Sequence, residues 1–283
     1  MISASDIRTY VVNLPRRSDR RERMTAILPP QLHVSFTSDW SEEFDGRLLH
    51  ADTLRTRGIQ LFAWQTDSDI RWWNRPLKYG EIGCTLAHLA CWKHAASHGD
   101  EPYVLIFEDD AVFGPTFLDD LLANLNRLRA NDIGFDLLYL GRKTYTPDQP
   151  LAPGIVEPGM SYCMYGYLLT RAAVDVLLAA NLETAIVPAD EFLLALYFDH
   201  PRADVRTRFP RQLSAVALVP PIVTQDDAGS DTEATDFIET ASLPLAVPNS
   251  DTRPANSTHG LIACPPVHPA TGAAVTTVDQ APG

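Results

Sequence analysis

The sequence predicts an α/β fold with a mainly parallel central sheet, and three observations predict it. Tyr103-Val104-Leu105-Ile106-Phe107 is an unbroken apolar run that ends in Glu108-Asp109-Asp110, the pattern of a strand buried on both faces. Other short apolar runs, at 7–14, 32–36, 136–141 and 213–219, alternate with stretches of helical periodicity, as in sheets covered by helices. Charged residues follow several of these runs, and in open α/β sheets ligands gather at the carboxyl ends of the strands.

The elements follow in order. Ile7 to Leu14 reads as the first strand, stopped by Pro15. Arg16 to Met24 leads into a helix that ends before Pro29-Pro30, with Ser18 as its cap. Arginines at such a strand–helix turn form a candidate anion site, aided by the helix dipole; a solvated basic helix face is the plainer reading. Leu32 to Phe36 is a second strand. Residues 39–75 read as an irregular insertion with short helices, whose Trp64, Trp72 and Trp73 pack in the core or cover a sheet edge.

A helix opens after Arg75-Pro76 and runs to about His98, with Gly99 ending it as a C′ residue. Gly80 and Gly83 let another backbone approach closely. His88 and Trp92 are neighbours at i,i+4; His94 reads as a satisfied core residue, and His88 is open. Pro115 to Ala130 is an amphipathic helix. Asp136 to Gly141 is a buried strand with Arg142-Lys143 at its end, and 144–160 is a loop rich in Pro and Gly. Ser161 to Thr170 is β-rich, and Arg171 to Asn181 is helical. A further helix starts at Pro188-Ala189-Asp190-Glu191 and ends near Phe198. Its two acids suit the helix dipole, or point into a cleft as a base. A strand at 213–219 closes on Pro220-Pro221, before an acidic loop at 225–233. From residue 241 Pro, Ala, Thr and Ser dominate without periodicity, the mark of a disordered tail. The expected division is a domain over 1–240 and a tail over 241–283.

The chain has 283 residues, 45% of them hydrophobic, enough for one large core. A net charge of -13 argues against nucleic acid or an anionic membrane as partner. An anionic ligand would therefore need local positive charge or a metal. The four cysteines form no CxxC pair and read as buried thiols. Neither a basic-then-apolar start nor a membrane-length apolar run is present, so the expectation is a cytoplasmic protein without a transmembrane segment. Glu108, Asp109 and Asp110 crowd three carboxylates where a site is expected. Gathered acids repel one another and lose hydration. A hard cation such as Mn²⁺ or Mg²⁺ offsets both costs; a solvated loop capping a helix is the alternative.

Seven stretches, NLPRRSDRRERM, RPLKYGEIGCTLAH, LIFEDDAVF, DLLYLGRK, YGYLLT, PADEFL and PPIVTQDDAGSDTE, occur in that order. Together they resemble glycosyltransferase family 25, the lipooligosaccharide and procollagen galactosyltransferase family, over roughly residues 7–237. DLLYLGRK, ADEFL and SDTE resemble the procollagen galactosyltransferase branch. The resemblance implies a GT-A fold, a UDP-sugar donor (most often UDP-galactose, with UDP-glucose the other option), Mn²⁺ dependence and inversion at the anomeric carbon. It places the family's metal motif on Glu108-Asp109-Asp110, with Glu108 and Asp110 as ligands and Asp231 as a further candidate. Asn13, Arg16, Arg17, Arg20, Lys78, Glu81, Gly83, His88, Glu108 and Asp109 become candidates for the donor site. Asp190 or Glu191 becomes the candidate base toward an acceptor, either hydroxylysine in a collagen-like protein or a lipooligosaccharide sugar. The sequence departs from the family at Ala87, where Ser usually precedes the His. It also has one transferase module and no signal, where the animal enzymes have two modules and are secreted. A catalytically inactive, glycan- or protein-binding module is the competing expectation.

Overall fold

The structure is a computed structural model, and it describes residues 1–40, 44–226, 229 and 231–239. The expected tail from residue 241 lies outside the described residues, as does Asp227 in the acidic loop.

The expected strands form at Ile7–Val12 (β1), His33–Phe36 (β2) and Tyr103–Glu108 (β3), with a two-residue strand at Ala111–Val112 (β4). Leu137–Thr144 (β5), Gln149–Ala152 (β6), Ile155–Glu157 (β7), Ser161–Thr170 (β8), Ala215–Leu218 (β9) and Thr224–Gln225 (β10) follow. The helices are Ser18–Ile27 (α1), Ala51–Thr56 (α2), Tyr79–Ser97 (α3), Phe117–Ala130 (α4), Arg171–Ala179 (α5), Ala189–Tyr197 (α6) and Ala203–Arg208 (α7). Eight strands make one sheet in the order β2-β1-β3-β8-β5-β9-β7-β6. β1 runs parallel to β2 and β3, and β5 parallel to β9, while β8 lies antiparallel between β3 and β5. β7 is antiparallel to both β9 and β6. Most strands thus point one way, with β8 and β7 reversed, and this is the GT-A-type α/β fold the sequence implied.

The strand period of two divides the core. Val104 and Ile106 of β3, with Leu137 and Tyr139 of β5, face the layer built by α3, α5 and α6. Leu105 and Phe107, with Leu138 and Leu140, face the layer built by α1 and α4. Both faces of β3 are therefore covered, which is why its sequence is apolar without alternation. The parallel register pairs Val12 with Glu108. The residues just beyond, Asn13 and Asp109, consequently meet at the carboxyl edge.

Several expectations need correction. The stretch 144–160 is not only loop: β6 and β7 form a hairpin at the sheet edge. An edge strand tolerates Pro150, and Gly154 makes the turn at φ +72°. Ser18 is the first helical residue of α1, not its cap; Arg17 holds the cap position without a side-chain cap bond. The short α7 was not anticipated. Gly99, at φ +79°, ends α3 as expected. Trp64 and Trp73 are core residues. Among the described residues, no helix is long and apolar enough to cross a membrane.

Candidate active site

The carboxyl ends of β1 and β3 bring the three acids together, but their surroundings differ. Asp109 is buried, and both of its oxygens are taken: Oδ1 accepts from Arg20 Nη1 at 2.7 Å and Oδ2 from Asn13 Nδ2 at 2.8 Å. Burial pushes its pKa up against these two donors. Arg20 also donates to the Gly229 carbonyl at 2.6 Å, and Arg23 to the Asp109 carbonyl at 2.6 Å. Asp109, Asn13 and Arg20 thus brace one another. All three, expected at the donor site, stand at the strand edge as a mutually paired set.

Asp110 is the opposite case. The β4–β10 pairing brings Gln225 over it, and Gln225 Nε2 donates to Oδ2 at 3.1 Å. Its Oδ1 is buried and has no partner among the described residues. Burial, then the neighbouring Glu108 carboxylate, raise the Asp110 pKa to about 7. A buried carboxylate oxygen with no donor, beside a second carboxylate, fits a hard divalent cation. The residues present are therefore suited to the ion the sequence implied.

α3 packs a second set of groups against the same acids. Cys84 and His88, one turn apart, offer ligand atoms that lie within 4.8 Å of one another and of a Glu108 oxygen. His88 is fully buried; its Nδ1 meets the Tyr167 hydroxyl at 2.9 Å, and that hydroxyl also accepts from Trp92 Nε1 at 3.1 Å. Burial, then the Glu108 charge, push the Cys84 thiol well up.

The basic residues are already paired. Arg16 donates to Asp45 at 2.6 Å and to Asp231 at 2.8 Å, and Arg17 binds both Asp19 and Asp231. Burial alone would raise Asp231, but the hydrogen bonds from Arg16 and Arg17 outweigh it and lower its pKa. Asp231, expected as a further metal ligand, is held here as counter-ion to the arginines. Lys78 Nζ binds the Glu233 carbonyl at 2.9 Å and its carboxylate. Glu81 takes Arg75 at 2.6 and 2.9 Å and the Lys78 backbone N–H at 2.7 Å, while still lining the cleft. Gly83 was expected to border a donor. It abuts chain instead: a Cβ there would lie 2.1 Å from the Phe44 carbonyl oxygen.

The start of α6 supplies the second acid pair. Asp190 is half-buried at the junction of two overlapping cavities, one of about 270 Å³ toward Trp72, the other of about 180 Å³ toward Glu108. Its partners are two backbone N–H groups, that of Glu191 at 2.9 Å and, at the long distance of 3.5 Å, that of Cys163. Cys163 sits at φ +62°, near the register shifts between β5 and β8. Burial, then the adjacent Glu191 carboxylate, raise the Asp190 pKa to about 7. Glu191, in contrast, is saturated. Its Oε1 accepts the indole N–H groups of Trp72 and Trp73 at 3.0 and 2.7 Å. His200 Nδ1 accepts the Arg202 N–H at 3.1 Å, so its Nε2 carries the proton and donates to Glu191 Oε2 at 2.6 Å. Glu191, the other candidate base, is thus fully bonded into the wall, while Asp190 faces the cavities with fewer partners.

Trp72, Tyr145 and Tyr162 stand edge to face at 5.4–5.6 Å and line the larger cavity with Arg75 and Lys143. A third cavity runs from Asn13 and Arg20 past Glu108 and Asp110, sharing Cys84, Glu108 and Gln225 with the second. The cleft is therefore lined in sequence by the β1–β3 edge, the two under-bonded acids and an aromatic end. Sequence reasoning missed Cys84, Gln225, Tyr145, Tyr162 and His200. The i,i+4 spacing of Cys84 and His88 was the only local signal available for any of them.

Residues 6–150 match the model of glycosyltransferase family 25, described as an LPS biosynthesis protein family. The chain is 33% identical over 238 residues to human inactive glycosyltransferase 25 family member 3, and 32% identical over 238 residues to the bovine probable inactive member 3. Each alignment covers 82% of this chain and 39% of the relative. Human procollagen galactosyltransferase 2 is 31% identical over 221 residues, covering 76% of this chain and 34% of that protein. The chain thus spans about two fifths of the length of the curated relatives it matches.

Proposed function

The chain belongs to glycosyltransferase family 25, on the branch that includes the procollagen galactosyltransferases, and we propose that it is an active, inverting hexosyltransferase. The donor is a UDP-sugar, UDP-galactose or UDP-glucose. The acceptor is a hydroxyl of hydroxylysine or of a glycan sugar. One observation carries the reading: two under-bonded aspartates, the buried Asp110 and the half-buried Asp190, line one cleft, and both have a pKa raised to about 7.

Asp110 and Glu108 would hold Mn²⁺ or Mg²⁺, which when bound supplies positive charge to a departing diphosphate. Arg16 and Arg17 lie at the same end, where the donor's phosphates exchange with Asp231 as their counter-charge. Asp190 takes the proton of the acceptor hydroxyl as its oxygen attacks the anomeric carbon from the face opposite UDP. The C–O bond to UDP breaks, its electron pair leaves with the diphosphate, and the proton stays on Asp190 until solvent removes it. The indole and phenol rings of Trp72, Tyr145 and Tyr162 give the acceptor an apolar face to pack on.

The test is UDP release from UDP-galactose and UDP-glucose with Mn²⁺, with hydroxylysine peptides and glycans as acceptors, for the wild type and Asp190→Asn. Turnover that needs Asp190 supports the reading. A second reading is an inactive module, favoured by the relatives whose names carry that word. It is the better one if UDP-sugars raise the melting temperature while UDP release equals that of Asp190→Asn.

A further inference from the structure

The relation between His88 and Glu108 is not that of a hydrogen-bonded pair. His88 is fully buried, its Nε2 has no hydrogen-bond partner among the described residues, and the nearest Glu108 oxygen stands 3.5 Å away. A buried imidazole donor facing a carboxylate would be expected to close to about 2.8 Å. Instead the separation matches that of two ligands on one ion. Zinc-to-nitrogen and zinc-to-oxygen bonds of about 2.0–2.2 Å at a tetrahedral angle set their ligand atoms about 3.4 Å apart. The third group, Cys84, lies on the same face of α3, with all three ligand atoms within 4.8 Å of one another.

We propose that Cys84, His88 and Glu108 form a second metal site, selective for a borderline-soft ion such as Zn²⁺. A thiolate, an imidazole and a carboxylate suit zinc, whereas the oxygen set at Asp110 suits the harder ion of the transfer reaction. The outer shell is in place. Tyr167 accepts the Trp92 N–H and its hydroxyl meets His88 Nδ1 at 2.9 Å; with an ion on Nε2, Nδ1 carries the proton and donates to that oxygen, which fixes the ring. Entry is also provided, because Cys84 and Glu108 line the two cavities that open toward Asp190 and toward Asp110. On binding, the thiol proton leaves to solvent, and the fourth position stays open to the cleft. Glu108 serves both sites, so a zinc ion there takes it from the harder ion, and zinc inhibits the transfer reaction.

The site is tested with Co²⁺ as a spectroscopic stand-in for Zn²⁺ in the full-length, metal-free protein. One equivalent should give the intense charge-transfer absorption of a cobalt–thiolate bond, and Zn²⁺ should abolish it. Cys84→Ser should lose the band while keeping the wild-type circular dichroism, and His88→Gln should bind Co²⁺ at least tenfold more weakly. Asp110→Asn should keep the band, although it loses Mn²⁺-dependent UDP binding; this separates the zinc site from the proposed transfer activity. Only weak, carboxylate-type cobalt bands in the wild type would overturn the site. So would a thiolate band that survives Cys84→Ser.

Discussion

Two pairs of adjacent acids, Asp109–Asp110 and Asp190–Glu191, are built alike. In each pair one carboxylate is saturated: Asp109 by Arg20 and Asn13, Glu191 by two indoles and His200. Its neighbour is left short of partners and has a pKa raised to about 7. The order is inverted, since the free acid comes second in the first pair and first in the second. Adjacency in the sequence is therefore uninformative about role; the count of donors around each oxygen decides it. A saturated carboxylate fixes the backbone, and the under-bonded one keeps lone pairs for an ion or a proton.

This contrast can be broken most severely at Asp190. Asp190→Asn should lower kcat by about 10²–10⁴-fold, the usual contribution of a positioned base, with donor affinity by calorimetry unchanged. Glu191→Gln should lower turnover much less once matched for folded protein. The reverse ranking would exchange the roles of the two acids.

At the other pair, Asp110→Asn should remove Mn²⁺-dependent UDP binding, a loss of at least tenfold in affinity, or about 1.4 kcal/mol. Asp109→Asn should leave that metal dependence in place and lower thermal stability, because Arg20 loses its closest charged partner. Calorimetric titration with and without Mn²⁺ distinguishes the two.

The braced acids should show their role as stability. Glu191→Gln puts an amide N–H₂ against the Nε2–H of His200, whose other nitrogen is committed to Arg202. The cost expected in urea unfolding is about 2 kcal/mol, the scale of one unsatisfied buried group.

The free acids should show the opposite sign. An unfolded Asp titrates near 3.9, whereas Asp190 titrates near 7 in the fold. Between these values the native state holds the extra proton. This contribution to stability is complete at low pH and is lost as pH climbs from about 4 through about 7. In metal-free protein, Asp190→Asn should therefore be more stable than the wild type at pH 8, by up to about 4 kcal/mol. The gain should vanish near pH 4. A constant difference across that range would contradict the raised pKa. The same titration predicts that kcat/KM of the wild type rises through pH 7.

Much of this was legible beforehand, for identifiable reasons. β3, α3 and α6 were readable because burial on both faces and helical periodicity leave local patterns. The hairpin of β6 and β7 was not, since Pro150 and Gly154 look like loop until a sheet edge is there to use them. Among the site residues, types were legible and partners were not. Asp231 lies more than 200 positions from Arg16 and Arg17, and nothing local tells a counter-ion from a metal ligand. Trp72 and Trp73 declared an apolar surface, yet their indole N–H groups saturate one oxygen of Glu191, and that contact spans 118 residues or more.

Gly80 gives one more consequence. A Cβ at this position would lie 2.4 Å from the Thr232 carbonyl oxygen, its N–H is held by Thr235 Oγ1 at 2.8 Å, and Ile238 N donates to Leu77 O at 2.9 Å. The start of α3 and the stretch 231–238 are thus stitched together along their backbones. Anyone trimming this protein to a minimal unit should keep every residue through Ile238, because cutting earlier removes the anchor of Asp231, the one carboxylate that Arg16 and Arg17 share.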